Sequence, residues 1–365
     1  MSLNIFSPIE INGHKIKNRI VMPAMVSFNY EVKDGEVNDK IIEHYTLRAK
    51  GGVGLIIIEA ICVDEKLNCR LTKGELGLWD DELIKGHKKL VSEIHNKNCT
   101  VLAQLSHAGI KGITEENIAP SDFEGNIINK AFKAKEMTVP QIKEIKGKFV
   151  KAALRAKRAK YDGVEIHCAH SYLLSDFISP LSNKRNDEYG GTLDKRMKLP
   201  LEILKEIRKE CGNDFIISVR MGFDEPTIDE GIKIAKMFDT CGADIIHIST
   251  GFGSSGYMSE SIMPKAPNDF PLNIRIWASS QIKPYLNCKV ITVGGIRNAE
   301  DANTVIFKGY GDFAAVGRGL LCDPEFVNKI KENKKIANCF NCNKCMWSSG
   351  MEKCPGRKKY LDSLK

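Results

Sequence analysis

The sequence predicts an α/β protein folded as a closed (β/α)8 TIM barrel, and three observations predict it. Eight short apolar runs recur along the chain, at residues 20–22, 55–58, 101–105, 164–167, 215–220, 245–249, 290–293 and 313–316. They are apolar on both faces, as parallel strands covered by helices are. The stretches between them carry apolar residues at helical spacing. Polar residues suited to chemistry follow many different runs, and a barrel gathers the C-terminal ends of all its strands on one face. An open doubly wound sheet is the competing architecture. The spread of candidate residues over so many strands favours the barrel.

Taken in order, the first run leads into Pro23, Ala24 and Met25, and the second into Glu59 and Ala60. A helix follows over 81–97, with Leu83, Leu90, Val91 and Ile94 on one face. The third run holds Gln104 and ends before His107. Residues 109–135 show no strong periodicity and read as a long loop over the barrel mouth. Thr138 is an N-cap candidate for a helix over 139–160, whose Ile142, Ile145, Phe149, Ala152 and Ala153 keep helical spacing. The fourth run precedes a helix over 193–211. The fifth ends at Arg220 and precedes a helix over 229–241 that carries Ile232, Ile234, Ala235 and Phe238. The seventh and eighth lead into Gly294, Gly295 and Gly317, Arg318. The barrel pattern ends near residue 335, giving a barrel over 1–335 and a Cys-rich tail over 336–365.

The net charge is +8, but the lysines are scattered along solvated helix faces. An anionic ligand can use part of this excess, and nucleic acid is not needed to explain it. The first residues lack a signal-peptide core, and no apolar run is long enough to cross a bilayer, so a cytoplasmic protein with no membrane contact is expected. Eight of the twelve cysteines are dispersed and read as reduced thiols.

The densest chemistry follows the fourth run, where His167, His170, Ser171 and Tyr172 come within six residues. Two imidazoles and a phenol at the end of a buried strand suit a reacting surface. Gly294-Gly295 and Gly317-Arg318 offer two turns of accessible N–H groups and a cation, at the place where barrels often bind phosphate. Residues 251–256 spell G-x-G-x-x-G, but a loop-like stretch follows instead of a helix, so a dinucleotide fingerprint is rejected. In the tail, Cys339, Cys342 and Cys345 are spaced by two residues each, and Cys354-Pro355 follows. Thiolates at this density suit an iron–sulfur cluster or structural zinc, with free thiols as the third reading.

The stretches at 17–25, 44–60, 103–109, 163–191, 218–220, 293–296 and 316–324 resemble the old yellow enzyme family, flavoprotein oxidoreductases on a (β/α)8 barrel that hold FMN. The resemblance implies that Gly294, Gly295, Gly317 and Arg318 take the FMN phosphate. Arg220 and Gln104 would meet the pyrimidine edge, where a cation stabilises the charge gained on reduction. Pro23, Ala24, Met25 and Ala60 would line the ring. His167 and His170 are implied to bind the oxygen of an activated alkene, and Tyr172 to give a proton to carbon. NAD(P)H would be the hydride donor.

Val26 and Phe28 stand where some members carry cysteine and tyrosine, so Phe28 would give the substrate pocket an apolar wall. The tail is similar to the motif of the dienoyl-CoA reductase and trimethylamine dehydrogenase branch, with a shorter gap before Cys354. That implies a four-iron cluster on Cys339, Cys342, Cys345 and Cys354. An electron-transfer partner protein is implied where the cluster brings electrons in, and a homo-oligomer is expected. Two other functions stay open: a flavin dehydrogenase or demethylase that passes electrons to the cluster, and a non-catalytic redox-sensing flavoprotein.

Overall fold

Eight strands pair in parallel and close on themselves. They are β1 (Ile20–Met22), β2 (Leu55–Cys62), β3 (Thr100–Ser106), β4 (Gly163–Cys168), β5 (Ile216–Gly222), β6 (Ile245–Ser249), β7 (Lys289–Val293) and β8 (Phe313–Ala315). Each pairs with the next, and β8 pairs with β1. This computed structural model describes residues 3–27, 33–127, 130–251 and 265–365. Every residue of β2, β4, β5 and β6 is buried, which is why these strands read as continuous apolar runs rather than alternating ones.

Helices α1 (Asp39–Lys50), α2 (Ile84–His95), α3 (Val139–Arg158), α4 (Lys198–Cys211), α5 (Ile228–Thr240), α6 (Ile274–Ile282) and α7 (Ala299–Phe307) form the outer layer, and α8 (Phe326–Lys331) ends it. Thr138 caps α3 through a reciprocal box with Gln141, the cap expected from sequence. Ile142, Ile145, Phe149, Ala152 and Ala153 are its buried face. The helix expected over 193–211 is divided at Met197 into a four-residue turn (Leu193–Arg196) and α4.

Two elements differ from the sequence expectation. The long loop expected over 109–135 contains a three-stranded sheet, Asn117–Ala119, Phe123–Ile127 and Lys130–Glu136. It has a small core of its own, formed by Ile110, Ala119, Ile127 and Ala134. Its last strand alternates Phe132 and Ala134 with exposed lysines, a period-2 pattern too short and too polar to stand out. The N-terminal stretch forms a hairpin, Ile9–Ile11 with His14–Ile16, turned at Asn12-Gly13, both at positive φ. Ile11 and Ile16 join Val21, Leu55, Leu102 and Ile291 in the inner core, so the hairpin plugs the end of the barrel opposite the site.

The tail packs onto the barrel. The Ala337 N–H donates to Asp323 Oδ2 at 2.8 Å. The buried Trp347 lies against the His44 ring, 5.2 Å between centroids, beneath the Arg48 guanidinium. Among the described residues no helix is long and apolar enough to cross a membrane.

Trp347→Ala should remove this anchor and cost about 3–5 kcal/mol, the usual range for deleting a buried indole. Urea unfolding measures it. A loss below about 1 kcal/mol would mean that the tail does not share the barrel's folding unit.

Candidate active site

At the open end of the barrel the site is built around a carboxylate. Glu165, on β4, is fully buried. It accepts from Gln104 Nε2 of β3 (2.8 Å), Ser218 Oγ of β5 (3.0 Å) and His247 Nδ1 of β6 (2.8 Å). Strand register explains the meeting, because Glu165 is opposite Gln104 on one side and Ser218 on the other. Burial alone would raise its pKa. The His247 imidazole, the Arg220 charge and the Gln104 amide more than offset this and hold it at about 2. Burial pushes His247 down, so its ring is the neutral donor to a charged acid.

Arg220 is the cation that this acid supports. Its side chain is almost wholly buried, and burial lowers its pKa against the pull of Glu165. Nη1 donates to the Ala24 carbonyl at 3.2 Å, and Nε has no hydrogen-bond partner among the described residues. The same loop is held at its far end by Glu59, which accepts from the Ser27 N–H (2.9 Å), Ser27 Oγ (2.7 Å) and Tyr45 Oη (3.0 Å).

His167, near the end of β4, and His170 and Tyr172, just after it, stand together. Ring centroids are 5.0 Å apart for the two imidazoles and 4.8 Å for His167 and Tyr172. Burial first, then the Arg220 charge, pushes both imidazoles well below their usual pKa, so both are neutral. Their hydrogen bonds imply the tautomers. His167 Nδ1 accepts from the Ala169 N–H, so its proton sits on Nε2, 3.3 Å from His170 Nδ1. The His170 proton is then on Nε2, 2.7 Å from Ser249 Oγ. Burial holds Tyr172 up at about 12, with the Glu75 charge adding and Arg220 opposing. It is a protonated phenol throughout the neutral range.

A cavity of about 230 Å³ opens beside His170, which lines it with Pro23, Met25 and Arg220 at one end, while the glycine turns and Arg318 line the other. Gly294 and Gly295 both have positive φ, a conformation glycine adopts without steric cost, and no Cβ stands between their backbone and the cavity. A neighbouring cavity of about 420 Å³ shares Arg275, Arg297 and Arg318 with this end and is also lined by Asn341 of the tail.

Of the residues expected from sequence, Pro23, Met25, Arg220, Gly294, Gly295, Gly317, Arg318 and His170 line one cavity. Ala24 touches Arg220; Ala60 and Gln104 are buried on adjacent strands. Phe28 and residues 252–256 of the glycine motif lie outside the described residues. The sequence reading missed Ser249, His247, Lys111 and Arg275. Only Glu165, an acid inside an apolar strand, gave a visible signal.

The tail thiols are all free. Among the described residues no three His, Cys, Asp or Glu side chains are gathered to hold one metal ion. Cys354 instead lies against Cys322, whose thiol is pushed up by burial and by that neighbour.

The cavity's residues fit FMN: an anion cradle at one end, an orphaned buried guanidinium N–H in the middle and neutral donors beyond. This is the layout of a flavin-binding barrel. The chain belongs to the NADH:flavin oxidoreductase / NADH oxidase family, the old yellow enzymes, whose sequence profile matches residues 4–336. It is 40% identical over 358 residues to an NADH oxidase of Thermoanaerobacter brockii, covering 93% of this chain and 53% of that protein. It is 33% identical over 332 residues to an NADPH dehydrogenase of Listeria monocytogenes serotype 4a (strain HCC23), covering 90% of this chain and 94% of that protein. Among solved structures it resembles a 2-naphthoyl-CoA reductase in complex with 2-naphthoyl-CoA. There the TM-score is 0.84 at 27% identity, over 94% of this chain and 54% of that one. The chain thus spans about half the length of the Thermoanaerobacter and naphthoyl-CoA proteins.

Glu165→Gln should remove the buried negative charge that offsets the Arg220 cation and destabilise the protein at pH 7 by about 3–5 kcal/mol. The folded pKa of Glu165 is depressed, so its contribution is present above the ordinary value of 4.5 and is lost as pH falls towards about 2. The gap between variant and native protein should therefore narrow across that window. Urea unfolding at pH 7 and pH 3 checks both points, and equal stability at pH 7 would remove Glu165 from this role.

Proposed function

We propose that the chain is an FMN-dependent oxidoreductase that takes hydride from NAD(P)H and reduces the C=C bond of an alkene activated by a carbonyl, carboxylate or similar group. The observation that carries this reading is the cluster of two neutral imidazoles and a protonated phenol, whose His170 lines the same cavity as the glycine turns and Arg318. FMN, when bound, supplies hydride transfer between the nicotinamide and the alkene.

Gly294, Gly295, Gly317 and Arg318 would hold its phosphate. Arg220 and Gln104 would face the pyrimidine edge, with Glu165 fixing both. Pro23, Ala24, Met25 and Ala60 would flank the ring. His167 and His170 donate to the substrate oxygen, which draws electron density from the alkene and stabilises the developing enolate. To do so, His167 Nε2 gives up His170 Nδ1 and His170 Nε2 gives up Ser249 Oγ. Tyr172 gives its proton to the α-carbon and regains one from solvent. Phe28 is proposed as an apolar wall of the substrate pocket.

For the tail we propose a four-iron cluster on Cys339, Cys342, Cys345 and Cys354, with zinc or free thiols as the alternatives. Four free cysteines in one short segment support it by donor chemistry. Loading would have to draw them together, and Cys354 would leave Cys322. An electron-transfer partner protein and a homo-oligomer belong to the same reading.

Tyr172→Phe should leave flavin reduction by NAD(P)H nearly intact and slow alkene reduction by about 10²–10⁴-fold, the range for general acid catalysis. Stopped-flow measurement of the two half-reactions separates them. Equal slowing of both, or of neither, would remove Tyr172 from the role. Cys342→Ser, handled anaerobically, should lose iron and sulfide while keeping FMN and much of the NAD(P)H-driven activity. Native protein without iron would end the cluster reading, and activity lost along with the iron would make the cluster the route by which electrons arrive.

A further inference from the structure

The turn after β4 is built from an unusual backbone. His170 and Ser171 are consecutive non-glycine residues with φ of +64° and +54°. L-residues seldom adopt this left-handed conformation, and two in a row persist only where the surroundings hold them. Here the turn reverses the chain so that His170 lines the cavity and Tyr172 stands against His167, with the His170 and Tyr172 rings 6.3 Å apart.

Three bonds from outside β4 hold the turn. The His170 N–H donates to the Thr250 carbonyl at 3.0 Å, and the Leu173 N–H donates to the His107 carbonyl at 3.0 Å. The third comes from a side chain: Lys111 Nζ donates to the His170 carbonyl at 2.6 Å. The same ammonium lies 5.2 Å from the centre of the Tyr172 ring. One cation thus touches the strained carbonyl and the face of the phenol.

Lys111 reaches this place because of the turn Gly109–Lys111 that follows β3. Gly109 has φ of +60°, and a Cβ there would lie 2.7 Å from both the Leu173 nitrogen and Asp176 Oδ2. Only a glycine lets the β3 turn approach so closely to the short helix that begins after Tyr172. Asp176 of that helix is fully buried, accepts from the Ile110 N–H at 3.4 Å through Oδ2 and has no hydrogen-bond partner for Oδ1 among the described residues. Burial pushes the Asp176 carboxyl well above its usual range and pushes Lys111 down to about 8, and the attraction between the two opposes both shifts.

We propose that Lys111 is a positioning residue for His170 and Tyr172: its ammonium clamps the carbonyl of the left-handed turn that sets His170 on the cavity wall and the Tyr172 ring against His167. This rests on the alkene-reductase reading of that cavity. Lys111 touches neither ring's reacting atom and acts through the backbone between them. Its charge also adds to that of Arg220 in keeping both imidazoles neutral, so that they remain oxygen donors rather than cations.

The test uses FMN-loaded protein and p-hydroxybenzaldehyde, whose oxygen would take the histidine donors. Binding is followed by the change in flavin absorbance and needs no turnover. Lys111→Met should keep FMN but weaken the phenol about tenfold or more, the scale of one charge-assisted hydrogen bond. Lys111→Arg, which restores a cationic donor, should recover most of that loss, a rescue that general loss of packing would not show. The alkene half-reaction should slow by a similar factor, with the NAD(P)H half-reaction little changed.

Phenol binding within about twofold of the native protein in Lys111→Met would overturn the proposal, because it is far less than one such bond is worth. So would equal weakening in Lys111→Arg. If Lys111→Met does not fold, Lys111→Gln keeps a neutral donor of similar length and is read by the same criterion. A native protein that binds the phenol but reduces no alkene would sink the alkene reading while leaving the Lys111 result standing.

Discussion

Glu165 and Arg220 form the interaction on which the open end of the barrel depends. A guanidinium buried this deeply is costly unless an opposite charge and good hydrogen bonds accompany it. Glu165 supplies the charge without touching the cavity, and Gln104, Ser218 and His247 share its oxygens. Arg220, which lines the cavity, can therefore keep its Nε–H without a hydrogen-bond partner among the described residues. The arrangement is local to four neighbouring strands, and the parallel register makes it: shifting one strand by a single residue would turn these side chains to the other face.

The same cation shapes the far side of the site. With burial, it keeps His167 and His170 neutral, and it tempers the rise of the Tyr172 pKa. The cavity then offers fixed positive charge at the cradle and at Arg220, and neutral donors beyond. A hydride acceptor with an electron-poor double bond needs that order: donors at its oxygen, an acid at one carbon and a reductant at the other. The turn after β4 supplies the donors and the acid from one short segment, at the expense of two left-handed residues.

How much was legible follows from physical scale. All eight strands could be read because burial on both faces leaves uninterrupted apolar runs. His167, His170 and Tyr172 were legible because they crowd into one segment. His247, Ser249, Lys111 and Arg275 were not, because their importance arises only when separate strands and turns are brought side by side. The capping sheet was missed because Phe132 and Ala134 give too short an alternation among lysines. In the tail, cysteine spacing marked the thiols, while the docking of Trp347 on α1 and the meeting of Cys354 with Cys322 depend on tertiary contacts.

The most direct test of the central claim is isotopic. NAD(P)H carrying deuterium at the transferable position is supplied anaerobically with 2-cyclohexenone in ordinary water, and the product is analysed by NMR. A second run uses unlabelled NAD(P)H in heavy water. The account predicts deuterium at the β-carbon in the first run, carried over from the nicotinamide, and at the α-carbon in the second, delivered by Tyr172 after exchange with solvent. A product with no nicotinamide-derived label at the β-carbon, or no reduction of the alkene while NAD(P)H is consumed, would contradict it.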